Sequence, residues 1–364
     1  MITIKDIAKE AHVSEGTVDR VIHNRGGVSK KTAAKVREIL ERHNFTVNPV
    51  ASALAMKKKH QISVLIPEYT EADLFWKSPY LGVLKAATDV KSFGVQVHSF
   101  TFNQSDSDSY VKAFEDVLKT EPSAVIMVPN FSEETTQIIN QLESLKIPYL
   151  FLNIDINGYN NMSYVGQDSY TAGYIAAKLL HRQAQETSEF LIIQSRHNSI
   201  KNNAISDRVE GFNNYFIENK IKVQPQILKI DDIANTEDSR EIIKAYLDNH
   251  LQIKVVFVPS SRIYRVVNCI DKKRLKQLEL VGFDNTPQNT ACLLNDSVSF
   301  LISQKPFDQG YTAVRLLTDY LIEKKQPAEK IYLPIDILIK ENVQYNGRDE
   351  YISESEPSAQ YVKE

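Results

Sequence analysis

The sequence has little cysteine and no apolar run of membrane length. Its two cysteines, Cys269 and Cys292, lie in apolar-rich segments, which excludes a disulfide framework and the clustered spacing of zinc ligands. Lys5 and Asp6 stand where a signal peptide needs an apolar core, and no apolar run approaches the roughly 20 residues of a membrane span. These absences predict a cytoplasmic protein with no membrane partner.

Motifs of catalysis are missing as well. The chain has no G-x-S-x-G nucleophile motif, no paired histidine metal motif, no P-loop and no G-x-G-x-x-G that opens a helix. Its eight histidines are scattered. We therefore expect neither an enzyme nor a bound cofactor or metal.

Charge is distributed unevenly along the chain. Residues 1–60 hold 12 Lys/Arg against 6 Asp/Glu, a net charge of +6, so the remainder carries −9 of the total of −3. A basic head on an acidic body suggests that the head meets a polyanion and the body does not. The alternative is a basic terminus without a partner.

The N-terminal stretch predicts three short helices. Apolar residues recur at helical spacing from Thr3 to Ile22, and Ser14 is placed to cap the second of two helices joined by a tight turn. Ser29 can cap a third helix that runs to His43. Three helices around a shared centre, with the second presented outward, are typical of a helix-turn-helix DNA-binding domain.

A different pattern follows a short linker. Residues 48–60 predict one or two turns of helix after Pro49, a length that should be mostly unfolded in isolation. From Gln61 onward, apolar strands alternate with amphipathic helices, ending in a predicted strand from Ile331 to Lys340. This alternation predicts parallel sheets covered by helices, and about ten strands are more than one sheet holds comfortably.

The head and several motifs in the body closely resemble the LacI/GalR family of bacterial transcriptional regulators. The head motifs are T-I-K-D-I-A-K-E-A-H-V-S-E-G-T-V-D-R-V-I, V-S-K-K-T and N-P-V-A-S-A-L-A. The body adds I-S-V-L-I-P, D-S-Y-T-A-G, R-V-E-G-F, L-V-G-F-D-N and Q-K-P-F-D-Q-G. The resemblance implies a homodimer, which could pair into tetramers, that binds palindromic operator DNA under the control of a small effector.

The fold class expected from these patterns is a small all-α helix-turn-helix domain followed by a two-lobed α/β core like that of type I periplasmic binding proteins. We expect the DNA-binding domain at 1–47 and a hinge helix and linker at 48–60. The core would occupy 61–345, with the lobes dividing near 164–166 and a return crossing near 303–306. Residues 346–364 are polar and acidic, which predicts a disordered tail.

The resemblance and the exposed face of the second helix select the DNA-binding candidates. Glu15, Gly16 and Arg20 would face bases, because major-groove readers use the first turns of that helix. Thr3, Ser14 and Thr17 suit phosphate contacts and capping. Leu54 would wedge into the minor groove at the dimer centre.

Two of these assignments have alternatives, and a further DNA-binding candidate, Asp19, has several possible roles. Glu15 could instead be a first-turn carboxylate on the helix dipole, and Leu54 could be a packing residue. Asp19 departs from the family, where T-V-S-R usually stands in place of T-V-D-R. Its carboxylate could orient Arg20 or Lys30, accept from a cytosine amino group, or weaken binding.

The effector candidates come from loops after strands, where two-lobed α/β proteins bind their ligands, and from the resemblance. They are Phe75, Trp76, Gln167, Asp168, Arg208, Ser261, Arg262, Asp284 and Gln304. Trp76 would face a sugar ring or, alternatively, plug the interface between the lobes. Asp168 could simply cap the helix that follows.

Two departures leave the effector class open. Ser260, Ser261 and Arg262 stand where sugar-binding relatives often have Asn-Asp, and the loop before R-V-E-G-F lacks a common arginine. Arg262 could supply the missing cation or bind an acidic effector. We expect a repressor with a sugar or sugar derivative as effector, or else another small polar metabolite. Rival functions are a transport component that uses only the core and a constitutive DNA-binding protein with a dimerising core.

Overall fold

The computed structural model describes residues 2–22, 26–43, 45, 59–71, 73–185, 187–195, 203–230 and 237–346. The chain divides into two compact units, Met1–Lys57 and Lys58–Glu364. The first unit contains the basic head and the second contains the α/β core. Within the described residues, none of the helices combines the length and the apolar composition that crossing a membrane requires.

The head consists of three helices, as predicted. They are α1 (Ile4–Ala11), α2 (Glu15–Ile22) and α3 (Lys30–Arg42). Ile7, Val18 and Val36, one from each helix, are fully buried and form the centre of the head's core. The two predicted serine caps are confirmed, because Ser14 Oγ accepts the Thr17 amide at 3.2 Å and Ser29 Oγ accepts the Thr32 amide at 3.1 Å.

The core has two lobes, each with a six-stranded sheet between helices, and the predicted two-lobed α/β class is confirmed. The first sheet has the strand order β11-β5-β4-β3-β1-β2, and all its pairings are parallel. Its strands are β1 (His60–Pro67), β2 (Val95–Phe102), β3 (Ala124–Met127), β4 (Tyr149–Leu152), β5 (Tyr164–Gly166) and β11 (Lys330–Tyr332). Its helices are α4 (Lys77–Val90), α5 (Ser107–Lys119), α6 (Ser132–Ser144) and α13 (Pro306–Glu323), with a 3-10 turn at Lys91–Phe93.

The second sheet has the strand order β12-β10-β9-β8-β6-β7. Its pairings are parallel except that β12 runs antiparallel to β10. Its strands are β6 (Glu189–Ser195), β7 (Gln226–Ile230), β8 (Ile253–Phe257), β9 (Glu279–Phe283), β10 (Phe300–Ser303) and β12 (Asp336–Leu338). Its helices are α7 (Ser169–Gln183), α8 (Asn203–Glu218), α9 (Glu237–Asn249), α10 (Ile263–Asn268), α11 (Lys272–Leu275) and α12 (Pro287–Leu294), and a 3-10 turn follows at Val343–Tyr345.

The chain crosses between the lobes three times: from β5 to α7, from β10 to α13, and from β11 to β12. The predicted single strand from Ile331 to Lys340 is wrong, because β11 and β12 belong to different sheets. Pro334, which lies between them, has no amide hydrogen to continue a ladder. The strands that end at these crossings direct their carboxyl ends toward the space between the lobes.

Glycines allow two helix pairs to pack backbone against backbone. A Cβ at Gly173 in α7 would lie 1.9 Å from the carbonyl oxygen of Arg208 in α8, and one at Gly211 would lie 2.0 Å from that of Tyr170. In the first lobe, Gly82 in α4 and Gly310 in α13 form the matching pair. The α7–α8 packing matters for the site, since α8 carries Arg208.

Two predicted segments lie outside the described residues. They are the hinge helix between Pro49 and Met56 and the predicted disordered tail beyond Asn346.

Candidate functional site

The outward face of α2 carries the predicted base-reading residues. Val18 and Val21 point into the head's core, whereas Glu15, Gly16 and Arg20 are exposed together on the other side. Gly16 and Arg20 are four residues apart and therefore lie on the same face of the helix, with Glu15 at the start of its first turn. Leu54, the predicted minor-groove wedge, lies outside the described residues.

The hydroxyl residues of the head cap its helices. Thr3 Oγ1 donates to the Asp6 carboxylate at 2.6 Å, and the Thr3 amide donates to the same oxygen at 3.1 Å. The Asp6 amide donates back to Thr3 Oγ1, which confirms the predicted capping by Thr3 and completes a capping box. These hydrogen bonds lower the pKa of Asp6. Phosphate contacts by Thr3, Ser14 and Thr17 stay predictions, as do the three interpretations of Asp19, which is half-buried on α2.

In the core, a buried polar network joins the two lobes at the ends of their strands. Asp284 follows β9 and accepts from Gln304 Nε2 at 2.8 Å. Gln304, which follows β10, accepts through Oε1 from Arg208 Nη2 at 3.2 Å and from Asn153 Nδ2 at 2.9 Å. Asn153 follows β4 of the first lobe and also donates to Gln309 at 2.9 Å. The predicted residues therefore form one network. Gln304 is hydrogen-bonded to both Arg208 and Asp284 and so links the two charged side chains.

The backbone explains why asparagine and aspartate occupy two of these positions. Asn153 has φ of 66° and Asp284 has φ of 64°. Asn and Asp are several-fold enriched among the non-glycine residues that adopt this left-handed region. At both positions the left-handed turn ends the strand and leaves the polar side chain at the carboxyl edge of its sheet.

Burial sets the electrostatics of the network. It raises the pKa of Asp284 to about 6, although the Arg208 charge and the Gln304 hydrogen bond act in the opposite direction. Burial likewise lowers the pKa of Arg208, which Asp284 partly offsets. The guanidinium of Arg208 lies over the Phe283 ring at 3.8 Å and donates through Nη1 to the Pro259 carbonyl at 3.0 Å.

Several buried polar atoms of this region have no hydrogen-bond partner within the described residues. They include Asp284 Oδ1, Arg208 Nε and Gln167 Oε1. Such atoms are costly to bury, and each of them indicates a missing group that would complete its hydrogen bonding. The described residues contain no cluster of His, Cys, Asp or Glu that could hold a metal ion.

Gln167 and Asp168 lie at the first crossing. Gln167 is 2% exposed, and its Nε2 donates to the Ser303 carbonyl across the lobes at 3.0 Å. Both carboxylate oxygens of Asp168 are engaged by Thr171, at 2.9 Å from its amide and 2.7 Å from its hydroxyl. The capping alternative for Asp168 is therefore confirmed, whereas its contact with an effector stays a prediction.

Arg262 is paired across the cleft. Its Nη2 lies 3.0 Å from Oδ2 of Asp73, which belongs to the loop after β1 in the opposite lobe. A second hydrogen bond joins the same loop to the second lobe, because Gln288 Nε2 donates to the Glu71 carbonyl at 3.3 Å. Arg262 is thus not an open cation in this arrangement of the lobes, and its carboxylate partner was not predicted.

The remaining predicted residues contact protein atoms. Phe75 and Trp76 are 8% and 4% exposed in the core of the first lobe, where their rings meet edge to face at 5.0 Å. The Ser261 carbonyl accepts from Asn289 Nδ2 at 2.8 Å. Trp76 therefore packs within its own lobe, and effector contacts by these three residues stay predictions.

Sequence reasoning missed Asn153, Gln309 and Asp73. Asn153 directly follows the apolar strand Y-L-F-L, so the same rule that selected Asp284 could have found it. Gln309 lies inside α13, and Asp73 lies in a loop rich in acidic residues. Asp73 carries no local signal, because its partner is far away in the sequence, whereas Gln309 belongs to the motif Q-K-P-F-D-Q-G that is part of the resemblance.

The head and the core of the chain are each similar to known proteins. Residues 3–48 match the family model described as bacterial regulatory proteins of the lacI family, and residues 62–325 match a periplasmic binding protein domain. The chain is 26% identical over 340 residues to catabolite control protein A of Staphylococcus epidermidis, covering 92% of this chain and 96% of the relative.

Two solved structures share the fold of the core. A protein assigned as a LacI transcriptional regulator from Bacteroides fragilis is 28% identical with a TM-score of 0.73, covering 79% of this chain and 99% of that one. A glucose-galactose binding protein from Geobacillus stearothermophilus is 19% identical with a TM-score of 0.68, covering 79% and 99%. The matches therefore cover both the head and the core.

Proposed function

Because the chain belongs to the lacI family of bacterial regulatory proteins, with a periplasmic binding protein domain behind its helix-turn-helix head, we propose that it is an effector-controlled repressor. The family consists of DNA-binding regulators and not of enzymes. The finer proposal is that a homodimer binds a palindromic operator through 1–47 and the hinge. A small polar effector bound between the lobes changes that affinity.

The observation that carries the proposal is the buried network between the lobes. Asp284 Oδ1 and Arg208 Nε are buried without partners, so a ligand that donates to the carboxylate and accepts from the guanidinium would complete both. A hydroxyl group does both. Residues from the two lobes meet here, so an effector would bind one arrangement of the lobes better than another.

The same contacts favour a sugar or sugar derivative over an acidic effector. Arg262 is already neutralised by Asp73, and an anionic group would have to displace that carboxylate. The relative from G. stearothermophilus is described as a glucose-galactose binding protein, which supports the same class. Another small polar metabolite with neighbouring hydroxyls is the alternative.

Coupling to DNA follows from linkage. If the effector changes operator affinity by some factor, operator DNA changes effector affinity by the same factor. The hinge at 48–60 is the proposed connection, with Leu54 of each subunit inserted at the dimer centre. Such wedges unstack a base step and bend the duplex.

Removal of residues 1–60 tests the assignment of the head. The truncated protein should retain effector binding in calorimetry with a sugar panel, and it should lose all binding to operator duplex in a gel-shift assay. Salt-sensitive DNA binding by the truncated protein would contradict the assignment. Full-length Leu54→Ala should bind the operator more weakly and bend it less; unchanged bending in a permutation gel would rule out the wedge.

The two rival functions make different predictions. A transport component would leave the upstream promoter unshifted by the full-length protein. A constitutive DNA-binding protein would shift the promoter but would show no stabilisation by any sugar of the panel in a thermal-shift screen.

A further inference from the structure

A cavity of about 180 Å³ lies at the crossings between the lobes, and Asp284, Arg208 and Gln304 are not among the residues that line it. The first lobe contributes Asp155 and the strand β11 with Lys330 and Tyr332. The second lobe contributes Gln167, Asp168 and Asp207 among others. A space of this size holds on the order of ten water molecules, enough for a small organic ligand.

The cavity carries excess negative charge. Three carboxylates line it, those of Asp155, Asp168 and Asp207, against the single ammonium of Lys330. Asp155 is paired with Lys330 at 2.7 Å, and Asp168 caps α7 with both oxygens. Asp207, in the first turns of α8, is therefore the carboxylate that we expect to contact a ligand.

The pKa values of the lining groups reflect this charge. The pKa of Asp207 is raised by its burial and then by the negative charges of Glu210, Asp155 and Asp168. The pKa of Tyr332 is raised by burial, and the three aspartates of the cavity add to the shift. A cation in the cavity would relieve this repulsion.

Gln167 supplies an independent pointer to a ligand. Its side chain lines the cavity, is 2% exposed and donates through Nε2 to Ser303 on one side. Its Oε1 atom is buried with no hydrogen-bond partner within the described residues. An amide oxygen is an acceptor only, so the missing group is a hydrogen-bond donor.

We propose that this cavity binds a small organic cation, an alkylammonium whose N–H groups donate to the Asp207 carboxylate and to Gln167 Oε1. An ammonium group has only donors, which matches a carboxylate and an amide oxygen better than a hydroxyl does. Tyr332 lines the cavity and is 51% exposed, so its ring offers apolar surface for the methylenes of an alkylammonium. Because both lobes line the cavity, the cation is a second ligand that biases their arrangement.

Calorimetric titration of the full chain tests the site, with putrescine as the cation and butanediol as its neutral counterpart. Putrescine should bind to the unaltered protein and butanediol should not. Asp207→Asn, which preserves the side-chain shape, should weaken putrescine at least about tenfold, as expected for loss of a charge-assisted hydrogen bond. Asp238→Asn, an exposed helix carboxylate outside the cavity, should leave the affinity unchanged.

Two further variants separate binding in this cavity from binding at the Asp284 network. Lys330→Gln removes the competing cation, so putrescine should bind to this variant more tightly. This test remains informative if Asp207→Asn fails to fold. Asp284→Asn should retain the preference for putrescine over butanediol, because its carboxylate belongs to the other site. The proposal is overturned by absence of putrescine binding, by equal binding of butanediol, or by affinities that neither Asp207→Asn nor Lys330→Gln alters.

Discussion

Replacing Asp284 with asparagine is expected to stabilise the protein at neutral pH while removing its effector response. The substitution retains a side chain suited to the left-handed backbone at φ of 64° and can still accept from Gln304 Nε2. It removes only the buried charge. Asparagine therefore imitates the protonated aspartic acid, which burial favours.

The sign and size of the effect follow from the pKa. The pKa of Asp284 rises from its ordinary 3.8 to about 6 in the folded protein. The folded state thus binds this proton more tightly than the unfolded state does. The protonated carboxyl therefore contributes its full stabilisation below the unfolded pKa of 3.8, and this contribution is lost as the pH rises through about 6. The difference amounts to about 3 kcal/mol in the free energy of unfolding at neutral pH.

Urea denaturation followed by far-UV circular dichroism measures the effect across this pH range. The variant should match the unaltered protein at about pH 4 and exceed it by up to about 3 kcal/mol at about pH 7. Glu241→Gln, an exposed carboxylate beyond the first turn of α9, serves as the matched control and should follow the unaltered protein throughout. Parallel pH profiles for Asp284→Asn and the unaltered protein would refute the reasoning.

Three other experiments probe packing, closure and capping. Gly173→Ala forces a Cβ against the Arg208 carbonyl and should cost about 1–3 kcal/mol of stability and weaken effector binding, unlike Lys178→Ala on the same helix. Arg262→Gln and Asp73→Asn break an ion pair whose side chains are only 23% and 22% exposed. A double-mutant cycle of unfolding should show a coupling free energy of about 1 kcal/mol between them. Strictly additive effects would argue against the cross-lobe pair. Ser14→Ala should cost about 1 kcal/mol of local stability in α2, measured by amide hydrogen exchange, whereas Lys9→Ala should not.

The fold could be predicted largely from local patterns. Helical spacing and the serine caps located the three head helices, and the alternation of strands and helices indicated two α/β lobes. The third crossing was not predicted, because residues 331–340 form a continuous β-favouring stretch interrupted only by Pro334. Which sheet each half joins depends on its neighbours β5 and β10, which lie far away in the sequence.

The site was predicted only where a residue follows a strand or matches a motif. Asp284, Gln304 and Arg208 were found in this way, and the structure brings them into one network. Pairings across the cleft escaped prediction: Arg262 with Asp73 depends on the loops of two lobes, separated by 189 residues. The burial of Trp76 is likewise a tertiary property, since an aromatic residue on a loop can face either the core or the cleft.

The most direct test of the account is the operator affinity of the full-length protein with and without its effector. The operator would be selected from genomic DNA, the effector from the sugar panel, and the affinity measured by fluorescence anisotropy at fixed salt. The effector is expected to change operator affinity about 5–150-fold in the unaltered protein and to leave the operator affinity of Asp284→Asn unchanged. An operator affinity that is the same with and without a bound effector would contradict it.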